Sequence, residues 1–403
     1  MKPIANSRAF APELDVLRGI AAVLMIANHV GFRLLSAGDS TSSSSGAVVF
    51  LGGFAPVIFF FATGFGIALT SRPTGAARPL GPVLWKAALL VVADQFFYWP
   101  HGIACGLDFF SFIAISSVVV SLVARLRRPV LACLVLIVVL LALRYGLGPI
   151  WQAPAREPML LQWVLGAHAV AGVSYPLSPW VVYPLLGFVL GRLYDGFDMS
   201  SGRIRSACLL LGSAAALVLL GMSLLLAVFS SSAFFRWGVV SAAYFLLSLG
   251  VLSVAGLVAM QLTYRLPRVA SALALRGVAS FAVIPIHYAL LHLCAAVLPP
   301  PLERWTFALL LIAIWPISFA AASRFAAWAN ADLLARHRRV LVPGLLFSVA
   351  VLGYATLRLA AVEGMLAPLL VLAAQLMVAG LLGMRNPAPV RVIPTQVMAS
   401  RRE

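Results

Sequence analysis

The 403-residue sequence is 62% apolar and 10% charged, with a mean hydropathy of +1.02; soluble domains carry about 25% charged residues. That excludes a soluble globular domain, and about twelve apolar stretches of roughly 20 residues would absorb most of the chain, which excludes a single anchored domain. The 29 Lys and Arg stand against 12 Asp and Glu, a formal charge of +17, yet they fall in small groups between apolar runs. Scattered cations of this kind set topology in a polytopic membrane protein; they are not a clustered footprint for nucleic acid, and no nucleic-acid partner is expected.

In chain order, the predicted spans are Val16 to Ser36, Ala47 to Thr70, Val83 to Trp99, Phe109 to Ala124, Pro129 to Tyr145, Trp180 to Leu193, Arg205 to Phe229, Trp237 to Gln261, Gly277 to Leu298, Thr306 to Ala329, Val340 to Leu359 and Met365 to Met384. The fold class is therefore an all-α polytopic transmembrane bundle, one integral membrane domain over 1–403. It has a cytoplasmic N-terminal segment (1–15) and a cytoplasmic tail (385–403). The first run has no small-residue cleavage site before Ser36 and reads as a retained signal anchor. Met159 to Gly172 is apolar but shorter than an ordinary span, so it is either a thirteenth crossing or a re-entrant segment.

Charge counting chooses between these. Twelve spans with a cytoplasmic N-terminus place 23 Lys and Arg inside and six outside, namely Arg33, Arg144, Arg156, Arg236, Arg304 and Arg358. Thirteen spans give 12 inside and 17 outside, against the positive-inside rule. Twelve crossings are expected, in an inner (plasma) membrane. Ser40 to Ser45 reads as an external loop, and Gly146 to Pro179 as the longest external region. Neither an internal repeat nor a signal for oligomeric state is visible.

Ionisable groups inside spans mark function by default. Arg18 and His29 are eleven residues apart in the first span, so they share one helix face about 16 Å apart along the axis. Arg18 also reads as a snorkelling anchor with Asp15 as its i,i+3 partner, and His29 as a polar residue packed among helices. Asp94 falls near the depth of His29 and is the best candidate to orient its ring; the alternative is a structural hydrogen-bond or ion pair with another helix. His287, His292, His168 and His101 are further candidates for contact with substrate. The histidines lack the spacing of a metal site, so no metal is expected, and Cys105, Cys133, Cys208 and Cys294 show no CxxC spacing. Gly64, Gly66, Gly187 and Gly191 allow close helix approach.

The pattern Leu14-Asp15-x-Leu17-Arg18-Gly19, with ten residues between Arg18 and His29, resembles the first helix of the membrane-bound acyltransferase family 3. It is also similar to the start of the heparan-alpha-glucosaminide acetyltransferase-like proteins. Ala55 to Leu69, Ser178 to Tyr194 and Ser280 to His292 are similar to later helices of that superfamily.

The resemblance implies transfer of an acyl group, commonly acetyl from cytoplasmic acetyl-CoA, to a hydroxyl or amine of a glycan or lipid-linked acceptor near the external side. The separation of Arg18 and His29 along the axis is comparable to an extended phosphopantetheine arm. Phosphates held at Arg18, with Asp15 as its partner in the cofactor-binding set and Arg72 and Arg78 nearby, would then place the thioester at His29. The imidazole acts there as general base or as acyl carrier, with Asp94 beside it and His287 and His168 toward the acceptor. Lys86, Arg125, Arg127 and Arg128 read as topology determinants that meet anionic lipid headgroups. The competing class is a proton-coupled transporter or flippase of a lipid-linked sugar or small solute, with His29, Asp94 and His287 as a relay.

Overall fold

The computed structural model describes residues 11–42, 44–71, 80–99, 106–147, 162–164, 172–197, 199, 201–229, 240–298, 300–329, 338–358 and 366–384. Hydrocarbon offers no partner for backbone N–H and C=O groups, so a spanning segment of this composition must close its hydrogen bonds internally as a helix. The described chain is helical accordingly: α1 (Pro12–Leu34), α2 (Ala37–Ser42), α3 (Ser44–Gly52), α4 (Ala55–Thr70), α5 (Leu80–Tyr98), α6 (Phe109–Val123), α7 (Pro129–Ala142), α8 (Val182–Asp195), α9 (Gly202–Phe229), α10 (Ala242–Arg265), α11 (Pro267–Leu273), α12 (Ala279–Val297), α13 (Arg304–Ala329), α14 (Arg338–Arg358) and α15 (Leu366–Met384).

Among the described residues, nine helical segments are long and apolar enough to cross a membrane, with α3 and α4 together forming one of them, Ser44–Thr70. Three shorter apolar helices, Phe109–Val123, Leu341–Ala355 and Pro368–Gly383, fall on the remaining expected runs. The molecule is a polytopic helical membrane bundle.

Local chemistry sets the ends of the first helix. Pro12 occupies the first turn of α1 with Glu13 and Asp15, and Arg33 lies in the last turn, so acidic and basic groups sit where the helix dipole favours them. α1 runs through the middle of the bundle, with Ala21, Ala22, Ile26, Val30 and Leu34 fully buried. α9 lies at the periphery, with Leu210, Leu217 and Val228 largely exposed, as a lipid-facing helix should be.

Contacts between helix termini define two ends of the bundle. At the first, the Tyr194 hydroxyl donates to Glu13 (3.0 Å), Arg192 to the Ser71 carbonyl (2.9 Å) and the Leu275 N–H to the Asp15 carbonyl (3.0 Å). At the second, the Leu302 N–H donates to the Leu34 carbonyl (2.7 Å) and Arg304 to Asp39 (2.8 Å). These links put the starts of α1 and α12 together with the ends of α4 and α8, as alternating crossings require.

The Ser178 hydroxyl, just before α8, donates to the Leu140 carbonyl at the end of α7 (3.1 Å). Leu107 also pairs with Val173. The chain therefore re-enters α8 at the end where it left α7, in keeping with twelve crossings. Apart from 162–164 and Gly172, the short run 159–172 lies outside the described residues, as do most of 1–15 and all of 385–403.

The tightest packing joins α4 to α8. A Cβ on Gly64 would overlap the Pro184 carbonyl, and one on Gly187 the Phe61 carbonyl, so two backbones touch where only glycine fits. Gly64→Leu is expected to destabilise the protein by about 1–3 kcal/mol or more, read as a lower unfolding temperature in detergent. Gly221→Leu on α9, where an added Cβ meets nothing within 4 Å, should leave that temperature unchanged.

Candidate functional site

The opening motif builds a charged cluster at the first end. The Asp15 carboxylate, nearly buried, accepts from Arg18 at 2.9 Å and from Arg276, just ahead of α12, at 3.2 Å. Gly19 is needed because the Leu273 carbonyl occupies the place of its Cβ, while Gly66 of α4 gives the Arg18 guanidinium close room, 3.1 Å from where a Cβ would stand. The Leu-Arg-Gly signature thus describes a helix start whose glycine lets the end of α11 lie against it and whose arginine reaches α4. Two guanidiniums on one carboxylate leave the cluster net positive. Arg72 and Arg78 lie outside the described residues.

Toward the second end, α1 presents Asn28 and His29. The Asn28 amide donates to the Val49 carbonyl (2.8 Å), tying α1 to α3 close to the break between α3 and α4. His29 turns the other way, onto α12. Its Nδ1 lies 2.8 Å from His287 Nε2, and its Nε2 lies 3.2 Å from the Tyr288 hydroxyl. The two imidazole planes are within 9° of each other with centroids 5.2 Å apart, which suits an end-on N···N hydrogen bond better than face-to-face stacking. Phe97 of α5 packs on Tyr288 with centroids 5.4 Å apart.

A cavity of about 220 Å³ reaches this ring. His29, Phe32, Arg33, Tyr288, Leu291 and His292 line it, so it offers a cation and a second imidazole beside two apolar side chains. Arg18 is not among its lining residues. The face of α1 between Arg18 and His29 is filled by Ala22, Met25 and Ile26, all buried. A passage shared by the guanidinium and the imidazole is therefore closed by packing.

Two expected placements differ in the structure. The Asp94 oxygens accept from the backbone N–H groups of Asp108 (3.0 Å) and Phe110 (3.2 Å). These are orphan donors at the start of α6, and a carboxylate suits them because helix N-termini attract negative charge. Asp94 therefore caps a neighbouring helix and does not pair with His29, whose partner is His287. Burial raises the carboxyl of Asp108, beside it, above the usual carboxylate range.

His287 is also placed differently from a substrate-binding residue. It is fully buried, and its Nδ1 donates to the Val283 carbonyl at 3.0 Å while Nε2 meets His29. Neither ring nitrogen is left for a substrate. His292 lines the cavity, whereas His168 and His101 lie outside the described residues.

Sequence reasoning passed over Tyr288 and Arg33. Both had a signal, since Tyr288 directly follows an intramembrane histidine and Arg33 stands one turn beyond His29 on the same helix. At the rim, hydrogen bonds from Arg304 and then Ser36 hold the Asp39 carboxylate below the ordinary value of 3.8. This pair closing α2 onto α13 is therefore present at neutral pH and is released as pH falls below that range. Among the described residues, no group of three or more His, Cys, Asp or Glu is arranged to hold a metal ion.

Residues 11–226 match the family model described as heparan-alpha-glucosaminide N-acetyltransferase, catalytic. The match contains Asp15, Arg18, His29, Arg33 and Asp94 and stops before α12, which carries His287 and Tyr288. No curated protein matches the chain.

Asp94→Ala is expected to lower stability by about 0.5–2 kcal/mol, the usual effect of losing a helix cap. Asp94→Asn, which keeps one acceptor oxygen, should lose less. Thermal unfolding of the detergent-purified variants measures both.

Proposed function

The chain belongs to the heparan-alpha-glucosaminide N-acetyltransferase catalytic family, and from that premise we propose that it carries an acetyl group across the bundle from acetyl-CoA at the first end to an acceptor at the second. The first end is taken as cytoplasmic and the membrane as the inner (plasma) membrane. The acceptor offers an amine or hydroxyl of a glycan or lipid-linked sugar. One observation carries this reading: His29, in the spanning part of α1, presents its imidazole at the wall of a cavity while α12 holds it by both ring nitrogens.

At the donor end, the net positive cluster of Asp15, Arg18 and Arg276 suits the phosphates of CoA, which guanidinium groups bind through charge-assisted hydrogen bonds. Arg72 and Arg78 are assigned there as flanking cations. A rise of about 1.5 Å per residue puts His29 about 16 Å further along α1, within reach of a pantetheine arm. The arm must part the packing around Ala22, Met25 and Ile26, so donor entry opens the bundle along this face.

The cavity of about 220 Å³ is smaller than the roughly 300–1,000 Å³ of a site that engulfs a drug-sized ligand. It accommodates the reacting group, leaving the remainder of the acceptor outside. Arg33 and His292 supply polar contacts to that group, and Phe32 and Leu291 an apolar wall.

In the transfer, His29 takes the proton of the acceptor N–H or O–H as its lone pair attacks the thioester carbon. The C–S bond breaks, its electron pair leaves on sulfur, and the thiolate takes the proton back from His29. A proton-coupled transporter would draw on the same His29–His287 contact. It would do so without Asp94, whose oxygens are engaged in capping α6.

His29→Ala is expected to cut acetyl-CoA-dependent thiol release and acetyl transfer by about 10²- to 10⁴-fold, with the elution profile of the folded protein preserved. Its unfolding temperature should fall, because buried His287 Nε2 is left without its partner, a loss of about 1–3 kcal/mol. Turnover at the wild-type rate would exclude the mechanism. Arg33→Ala should raise KM for the acceptor with little change in kcat, measured under saturating acetyl-CoA.

A further inference from the structure

We infer that His287 is a positioning residue that fixes the tautomer of His29, placing the proton on Nδ1 and leaving Nε2 as the reactive atom. The inference rests on the acetyltransfer reading for its consequence, while its core is a count of hydrogens along one chain of contacts.

The chain starts at a group that can act in one way only. A carbonyl oxygen accepts and never donates, so the 3.0 Å contact between His287 Nδ1 and the Val283 carbonyl requires the hydrogen on His287 Nδ1. In a neutral imidazole the other nitrogen is then a bare acceptor. His287 Nε2 therefore accepts, and its partner at 2.8 Å, His29 Nδ1, must donate. His29 in turn has its lone pair on Nε2, where the Tyr288 hydroxyl at 3.2 Å donates to it.

Each link excludes the alternative: placing the hydrogen on His29 Nε2 would set two lone pairs against each other across the short contact between the rings. The backbone of α12 thus selects, through two rings, which nitrogen of α1 is basic. The arrangement follows the logic by which a buried acceptor orients a catalytic imidazole through its Nδ1–H, with a neutral histidine in place of a carboxylate.

Tyr288 completes the device. In the resting site its hydroxyl occupies the lone pair of Nε2, and an acceptor N–H or O–H entering the cavity takes over that position. When the acceptor proton moves to Nε2, His29 carries hydrogens on both nitrogens. Nδ1–H still points at His287 Nε2, and Nε2–H can donate to the Tyr288 oxygen or to the departing sulfur. No ring has to rotate during the cycle, because every reversal occurs at Nε2.

The test uses full-length protein with ¹⁵N-labelled histidine in nanodiscs and reads ring nitrogens by solid-state NMR, with His29→Ala and His287→Phe variants to assign signals. Wild-type His29 is expected to show a protonated Nδ1 and an unprotonated Nε2 at neutral pH. In His287→Phe the His29 proton should shift to Nε2, with kcat for acetyl transfer falling about 10- to 100-fold and KM for both substrates unchanged. His287→Gln, whose side-chain oxygen can accept from His29 Nδ1–H, should recover most of the lost kcat and the wild-type tautomer.

A wild-type His29 protonated on Nε2 overturns the inference. So does a His287→Phe protein that loses activity with its His29 tautomer unmoved. Because the wild-type spectrum needs no turnover, it decides the tautomer even if His287→Phe fails to fold. A wild-type protein with the expected spectrum but no thiol release would overturn the acetyltransfer reading alone.

Discussion

A polar group inside hydrocarbon must find its partner within the protein, and this constraint organises the bundle from end to end. Backbone groups meet it by forming helices. Several side chains meet it by bonding to neighbouring helices: Asn28 to α3, His29 to α12, Asp94 to α6, and the Tyr183 hydroxyl to Ser248 of α10 at 2.7 Å, whereas Trp180 Nε1 and Ser318 Oγ are buried without a partner among the described residues. Each bond places one helix against another, so the residues that cost most to bury also determine the arrangement. The same constraint makes His29 a well-defined group: held by both nitrogens, its ring has one orientation.

Close backbone contact is the second determinant. Gly19, Gly64 and Gly187 stand where a carbonyl of another segment takes the space of a Cβ, and two of these contacts join α4 to α8. With little hydrophobic drive between helices in lipid, such contacts and interhelical hydrogen bonds carry much of the association. They frame α1, which carries the Asp15–Arg18 pair at one end and the His29 imidazole near the other. Between Arg18 and His29 this face of α1 is filled by Ala22, Met25 and Ile26, all buried.

The candidate site is divided between α1 and α12. Residues 11–226 contain Asp15, Arg18 and His29, whereas Arg276 of the charged cluster and His287 and Tyr288, which hold the ring, come from outside it. The His29 imidazole and its partners lie far apart in the chain, and only the fold makes them neighbours.

By itself, the amino-acid sequence determined the fold class and the runs that become helices, because apolar length and internal backbone hydrogen bonding are local properties. It also singled out Arg18 and His29 on one face of α1, which follows from helical periodicity alone. Which groups meet across helices was not legible. Depth along a span suggested Asp94 for His29, but depth does not specify azimuth, and the structure gives Asp94 to the start of α6 and His287 to His29. Likewise the distance from Arg18 to His29 along the helix was calculable from residue number, while the packing that closes the path between the two groups depends on how several helices lean together, which no single stretch of chain encodes.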